Sequence, residues 1–400
     1  MSGLKYLATL ICFILPISAA SDEDSEYCKN GGMTVKEVSQ ILTVINDRRN
    51  KLATGSQRNG LKDDYLPPAK NMRKMGYDCM LEHEAKNYLA DMCTLDLAEH
   101  EPDKGYYFWG SAVAMYEPLS NSLPDELEKV DLIDFSYFIK DQLVKYTKND
   151  GYLINYVNLM RGSASRIGCA IRNCTTEEGD DFYIDLCLTD QSNIQDGDEI
   201  YEVRKGDKCE CDKPWTCSDD SLCVAPAKFP ESFDEEPSTK CSSKEMSDTM
   251  RMHMQDTHNY RRSQLALGQI SDNKGKPLPA ASNMNYLVWD CALEREAHDF
   301  LRDCPKEGYK RPDDDSLAQN FYYGTTNEPT FRDMNKKAVT EWWKQVRKVA
   351  GPGTSPFTTE HNSTEIKSFT LMGWASSKEM GCSIAKCGDY WIEACRYYPP

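Results

Sequence analysis

Apolar positions recur at helical spacing in two distant stretches that read almost alike. Leu81, Ala85, Tyr88, Leu89 and Met92 fall on one face of a predicted helix, and Leu293, Ala297, Phe300 and Leu301 on one face of another. Asp78 and Asp290 stand where a helix wants its N-cap. Upstream, Val35, Val38, Ile41, Leu42 and Ile45 predict a helix over 34–51, and Met246, Met250 and Met254 run along its later counterpart. Downstream the period changes. RIGCAIRNC and FYIDLCL in the first half, and EMGCSIAKC and DYWIEAC in the second, alternate apolar and polar residues and predict strands.

The likeness is a duplication. Asn71, Met72, Asp78, Cys79, Leu81, Glu82, Glu84, Ala85, Leu89 and Asp91 all recur 212 positions later. Cys28 precedes Asn46 by 18 residues, and Cys241 precedes Asn259 by the same 18, so the repeat begins before the opening helix. Helices followed by strand pairs predict an α+β fold in layers rather than a doubly wound parallel sheet. The organisation expected is a leader over 1–20, a domain over 21–190, a hinge over 191–240 and a second domain over 241–400.

The leader reads as a secretory signal. Lys5 precedes an apolar run over 6–17, and Ser18, Ala19 and Ala20 form a small-residue cleavage site; the run is too short to span a bilayer. Of 17 cysteines, loss of Cys12 with the leader leaves sixteen, an even number suited to disulfides in an oxidising compartment. The net charge of −17 becomes −18 without Lys5. Such a chain repels phosphate backbones and anionic surfaces, which disfavours nucleic acid and heparin-like partners. Between the halves, Cys209, Cys211, Cys217 and Cys223 predict a stapled hinge, followed by a Pro- and acid-rich flexible linker. Zinc is the sharper reading of these four cysteines, and the secreted context weighs against it.

The motifs in order carry a family resemblance. HNYRR at 258–262, WDCALEREA, LAQN at 317–320, AVTEWW at 338–343, SFTLMGWA at 368–375 and GCSI at 381–384 resemble those of the CAP superfamily, which joins cysteine-rich secretory, antigen 5 and pathogenesis-related-1 proteins. NDRR, YDCMLEHEA and RIGCAI are the weaker first-half matches. The tandem arrangement resembles the double-domain activation-associated, or venom-allergen-like, secreted proteins of parasitic nematodes. The resemblance implies an α-β-α sandwich in each half, with a small antiparallel sheet between helical layers. It also implies the pairs Cys28–Cys79, Cys93–Cys174 and Cys169–Cys187, and by repetition Cys241–Cys291, Cys304–Cys387 and Cys382–Cys395. Pairing within the hinge stays open.

Many members hold a divalent metal with two His and two Glu. Carried over by position, the second-half ligands fall on Ser368, Gln319 and Gln345, and no histidine lies between Cys304 and Gln319 to supply the fourth. In the first half they fall on Asn155, Ser111 and Gln142, with the lone His100 in the remaining place. Amides and hydroxyls do not replace imidazole and carboxylate, so no zinc or other cofactor is expected. The amide and hydroxyl positions offer no general base either, the lone His100 is read as simply solvated, and neither G-x-S-x-G nor H-E-x-x-H occurs. His258 faces Ile45 in the other copy, and Arg49 matches Arg262; all are read as structural. Trp342, Trp343 and Trp374 are read as core. Asn362 and Asn173 head glycosylation sequons, Asn173 being the poorer acceptor.

The expected function is a secreted, non-enzymatic binding protein, with recognition on the loops 117–130 and 351–365. By resemblance the partner is a host protein and the role modulation of host immunity. Extracellular carriage of sterol or lipid is the alternative. A metal-dependent hydrolase and channel blocking by the hinge are the weaker readings.

Overall fold

The computed structural model describes residues 22–90, 92, 112–113, 119–175, 179, 181–230, 238–243, 245–308, 318–325, 330–348 and 366–400. The predicted leader, Cys93, His100, Ser111, Asn362 and the loop 351–365 lie outside the described residues.

The first half opens on α1 (Val35–Thr54). The Thr34 hydroxyl accepts from Glu37 N, and the Glu37 carboxylate accepts from Thr34 N at 2.8 Å, a reciprocal cap. Gly55 ends the helix at φ 75°, where a side chain would be strained. After strands β1 (Ala69–Lys70) and β2 (Gly76–Tyr77), α2 (Cys79–Ala90) starts at Asp78, whose Oδ1 accepts from Met80 N and Leu81 N. The chain continues through β3 (Ala112–Val113), α3 (Leu119–Leu132), β4 (Tyr137–Lys140), β5 (Leu143–Tyr146), α4 (Ile154–Leu159), β6 (Arg166–Thr175), β7 (Asp181–Thr189) and β8 (Glu199–Val203). The central sheet runs β2-β6-β7-β3, antiparallel except where β2 lies parallel to β6. Leu81, Ala85 and Leu89 of α2 pack with Ile184, Leu186 and Leu188 in one cluster. Residues of α1, α3 and α4 share the larger core with Ile167. These are the three layers of a sandwich.

Two expectations fail here. The stretch 117–130, read as a recognition loop, is mostly α3, since Leu119, Leu123, Leu127 and Val130 bury at helical spacing. The hinge read over 191–240 is not structureless at its ends. Strand β8 joins a second sheet, β1-β8-β5-β4, and β11 (Ala227–Lys228) pairs with the sheet of the second half through Ala227↔Cys387 and Lys228↔Lys386. Strands this short are set by their partners rather than by local periodicity. Between them β9 (Thr216–Cys217) and β10 (Cys223–Val224) form a small hairpin stapled by Cys209–Cys217 and Cys211–Cys223.

The second half repeats the plan. It holds α5 (Asp248–Ala266), β12 (Val288–Trp289), α6 (Cys291–Leu301), β13 (Gln319–Gly324), α7 (Phe331–Lys344), α8 (Lys367–Gly373), β14 (Glu379–Cys387) and β15 (Tyr390–Tyr398). The sheet runs β11-β14-β15-β13, with β12 parallel to β14 as β2 is to β6. Cys169–Cys187 and Cys382–Cys395 join directly opposed residues of the two long hairpins, each with Cα atoms 4.1 Å apart. Cys28–Cys79 and Cys241–Cys291 tie the lead segments to the first residues of α2 and α6, and Cys304–Cys387 ties the end of α6 to β14. Cys174 is also disulfide-bonded.

The glycine of each GC pair marks where helix meets sheet. A Cβ on Gly168 would lie 2.2 Å from Glu82 N, and one on Gly381 2.2 Å from Glu294 N. Gly168→Ala and Gly381→Ala are each expected to cost about 1–3 kcal/mol by forcing the helix off the sheet. A urea titration of each variant, followed by circular dichroism, measures the loss.

Charged side chains join the halves. The Arg166 guanidinium meets Asp78 of its own half at 2.8 Å and Asp303 of the other at 2.7 Å, and also donates to Phe300 O. Arg302 donates to Ser165 O, Tyr27 to Asp299, and Lys29 to Asp290 and Glu379.

Candidate functional site

In the second half, the residues that the resemblance aligns with metal ligands bond within the fold. Gln345, just beyond α7, turns its Oε1 onto Ser368 N at 2.9 Å and Phe369 N at 3.3 Å, and so caps α8. Gln319 Oε1 accepts from Arg396 Nε at 3.1 Å, and Arg396 pairs with buried Glu296. Ser368 O accepts from Asn320 Nδ2 at 3.0 Å. The amides thus bond within the fold, where a glutamate at position 345 would serve the helix start equally well.

Beneath them lies a closed polar chain. Asn320 Nδ2 donates to the Tyr397 hydroxyl at 3.1 Å, and that hydroxyl donates to His258 Nε2 at 3.0 Å. His258 Nδ1 donates to Met254 O at 2.8 Å, which fixes the tautomer. Burial pushes this imidazole down to about 4, so it is neutral at physiological pH. Both ring nitrogens are engaged within the protein, and the first half replaces the residue with fully buried Ile45.

Arg262 and Arg49 organise backbone. Arg262 reaches Asn285 O, Met372 O, Trp374 O and Ser377 O, binding α5 to the turns around α8. Arg49 likewise reaches Arg73 O, Leu159 O, Arg161 O and Ala164 O. Sequence reasoning matched the two arginines but had no means of finding their carbonyl partners, which lie up to 115 residues away.

The two copies diverge most at one carboxylate. Glu294 accepts two hydrogen bonds from Arg251, at 2.7 and 2.8 Å, and one from Trp289 Nε1 at 2.7 Å. In the first copy the positions of Arg251 and Trp289 are held by Val38 and Tyr77, so the counterpart Glu82 has no matching guanidinium or indole. Burial pushes the Glu82 carboxyl up to about 8, against hydrogen bonds from Met33 N and Tyr77. Glu393, fully buried with Asn335 at 2.6 Å, is likewise pushed up to about 8 by burial. Unfolded glutamates ionise near 4.5, so both groups give their full contribution to stability below that pH. That contribution is lost as pH rises through about 8. Glu82→Gln and Glu393→Gln are expected to flatten the decline between pH 5 and 8 and to raise stability at pH 8 by a few kcal/mol, on the order of 1.4 kcal/mol per pH unit. Thermal melts of wild type and variants across that range check it.

The remaining predicted positions scatter. Gln142 sits exposed in the tight turn between β4 and β5 at φ 66°, so it does not occupy the place that Gln345 takes; the helix matching α7 is α3, which ends ten residues earlier, at Leu132. Asn155 is half-buried at the start of α4. Trp342 and Trp343 are core, as Trp342 Nε1 donates to Phe321 O and Trp343 packs edge-on to Phe369, but Trp374 is 37% exposed and belongs to the surface. Asn173 is exposed on β6. Three groups of potential soft-metal ligands occur among the described residues, Cys209 with Cys211 and Cys217, His258 with Cys382 and Cys395, and Cys28 with Cys79 and Glu82. All their cysteines are oxidised in disulfides, which leaves no thiolate to bind an ion.

This doubled sandwich can be compared with known proteins. The family model described as "CAP: Cysteine-rich secretory protein family" matches residues 42–186 and again 255–397. The chain belongs to the CAP family. It is 24% identical over 404 residues to the Ancylostoma secreted protein of Ancylostoma caninum, across 98% of this chain and 91% of that one. It is 27% identical over 131 residues to Venom allergen 5.02 of Dolichovespula maculata, across 32% of this chain and 60% of that protein. Among solved CAP structures, the crystal structure of Na-ASP-1 aligns over 94% of this chain and 92% of its own, with 23% identity and a TM-score of 0.39. Among the described residues no helix is long and apolar enough to cross a membrane.

Proposed function

We propose that this tandem CAP protein is a secreted, non-enzymatic binding protein that acts outside the cell on a host protein and so modulates host immunity. The observation that carries the reading is the internal use of Gln319 and Gln345, whose amide oxygens cap a helix and hold Arg396 instead of opening onto a cleft. Polar groups satisfied in this way offer no base, nucleophile or cation ligand. A disulfide-braced scaffold that lacks reaction chemistry is suited to presenting surface for recognition. The secreted relatives from a hookworm and a wasp point to the same extracellular setting. Capture by the glycosylated mature protein from a panel of host cell-surface and serum proteins tests it. A saturable host partner is the expected outcome. Stoichiometric sterol or lipid co-purifying with the protein, and no protein partner, would replace this reading with that of a carrier.

A further inference from the structure

A cleft of about 610 Å³ opens where the first domain, the hinge and the second domain meet. That volume is in the range of small-molecule sites. One wall is the outer face of α1 with Leu42 and Asp47, the second is the hinge with Trp215, Val224 and Phe229, and the third is the end of α6 with Asp299, Arg302 and Asp303. The frame is held from all sides. Asn50 of α1 donates to Asp220 O of the hinge, Lys74 N donates to Cys223 O, and Arg166 and Arg302 cross to the opposite domain at the floor. Phe229 also packs with the core cluster of α6.

The lining is apolar with a bias of charge. Four carboxylates, Asp47, Asp220, Asp299 and Asp303, face two cations, Lys74 and Arg302. Both cations are already neutralised, Lys74 by Asp220 at 2.6 Å and Arg302 by Asp303 at 3.4 Å. Asp299 accepts from Tyr27 and from His298. The exposed Asp47 carboxylate takes no hydrogen bond or ion pair among the described residues. Of the aromatic rings that line the cleft with it, Trp215 and Phe229 each sit against a cationic group on one side. Arg73 lies 4.6 Å from the Trp215 ring, and the Phe229 ring is 4.1 Å from the His298 imidazole. Aromatic faces and an unpaired carboxylate together select a positive charge on a flat apolar body. An anion would meet Asp47 without compensation, and a neutral apolar body would cover that carboxylate and strip it of water.

We propose that the interdomain cleft is a binding site for a small organic cation with an aromatic body, its ammonium at Asp47 and its ring between Leu42, Trp215 and Phe229. The site needs both domains and the hinge together, which gives the tandem arrangement a use that neither CAP domain has alone. It operates whether or not a host protein docks elsewhere on the surface.

Three indole probes of one shape and different charge test the proposal on the intact mature protein. Tryptamine is cationic, indole-3-ethanol neutral and indole-3-acetate anionic at pH 7. Isothermal titration at low salt is expected to show one saturable tryptamine site, about tenfold tighter than indole-3-ethanol, with indole-3-acetate weakest. Asp47→Asn, a surface change that leaves the core intact, should weaken tryptamine about fivefold and leave indole-3-ethanol unchanged, the effect of one exposed charge pair. Phe229→Ala should weaken both. The proposal is overturned if tryptamine fails to saturate below millimolar concentration, if the three probes bind alike, or if Asp47→Asn leaves tryptamine affinity unchanged.

Discussion

Arg262→Met is expected to bring the second domain close to unfolding at ambient temperature while the first stays folded. The side chain is buried, and its guanidinium serves the carbonyls of Asn285, Met372, Trp374 and Ser377 at once. Methionine fills much of the volume but removes a donor from each; Trp374 O still accepts from Ser377 N, so the loss falls on the other three carbonyls, at about 1–3 kcal/mol each. A total of about 3–9 kcal/mol is comparable with the roughly 5–15 kcal/mol a folded domain has in reserve. Lysine does not rescue it, because one ammonium cannot span acceptors lying on three separate turns. Arg49→Met should act in the same way on the first domain, through Arg73 O, Leu159 O, Arg161 O and Ala164 O. Near-ultraviolet circular dichroism combined with limited proteolysis distinguishes the domains. Protection of both domains in Arg262→Met would show that the carbonyl cluster is held by other means.

The next largest effect is expected at Arg251. Its side chain is fully buried against Glu294, which also accepts from Trp289. Removing one partner of such a pair strands the other, so Arg251→Met should cost the second domain about 3–5 kcal/mol. Arg251→Met combined with Glu294→Gln should recover most of the loss, since no buried charge remains. The first domain has Val38 at the position of Arg251, and there burial pushes the Glu82 carboxyl up to about 8. The single variant should therefore suffer more at pH 8 than at pH 5, because a stranded carboxyl is cheaper when protonated. Urea titrations of the two variants at both pH values complete the cycle. Equal losses in the single and the double variant would mean that packing, rather than charge, sets the cost.

Much of this architecture was legible in the chain. The periodicity of Leu81, Ala85 and Leu89 and its return at Leu293, Ala297 and Leu301 located α2 and α6, because an amphipathic helix declares its buried face locally. The alternation in the two long hairpins was equally local. What escaped depends on distant partners. Strands β8 and β11 are too short to show a period, and only their pairing with β5 and β14 makes them strands. The helix α3 was read as a loop, although its leucines keep helical spacing. At the candidate site, sequence motifs pick out Ser368, Gln319 and Gln345, whereas the bonds Gln345 makes to the start of α8 and Gln319 makes to Arg396 required coordinates. Gln142 was misplaced because α3 and its flanks carry too few apolar landmarks to count from. The interdomain cleft draws on α1, the hinge and α6, which no local pattern connects.

The most direct test of the central claim, that both CAP clefts have lost their metal chemistry, is isothermal titration of zinc into the mature, fully oxidised protein at pH 7.5. No saturable site of micromolar or better affinity is the predicted result. One zinc per domain, with the second-domain site abolished by Gln319→Ala or Gln345→Ala, would contradict it.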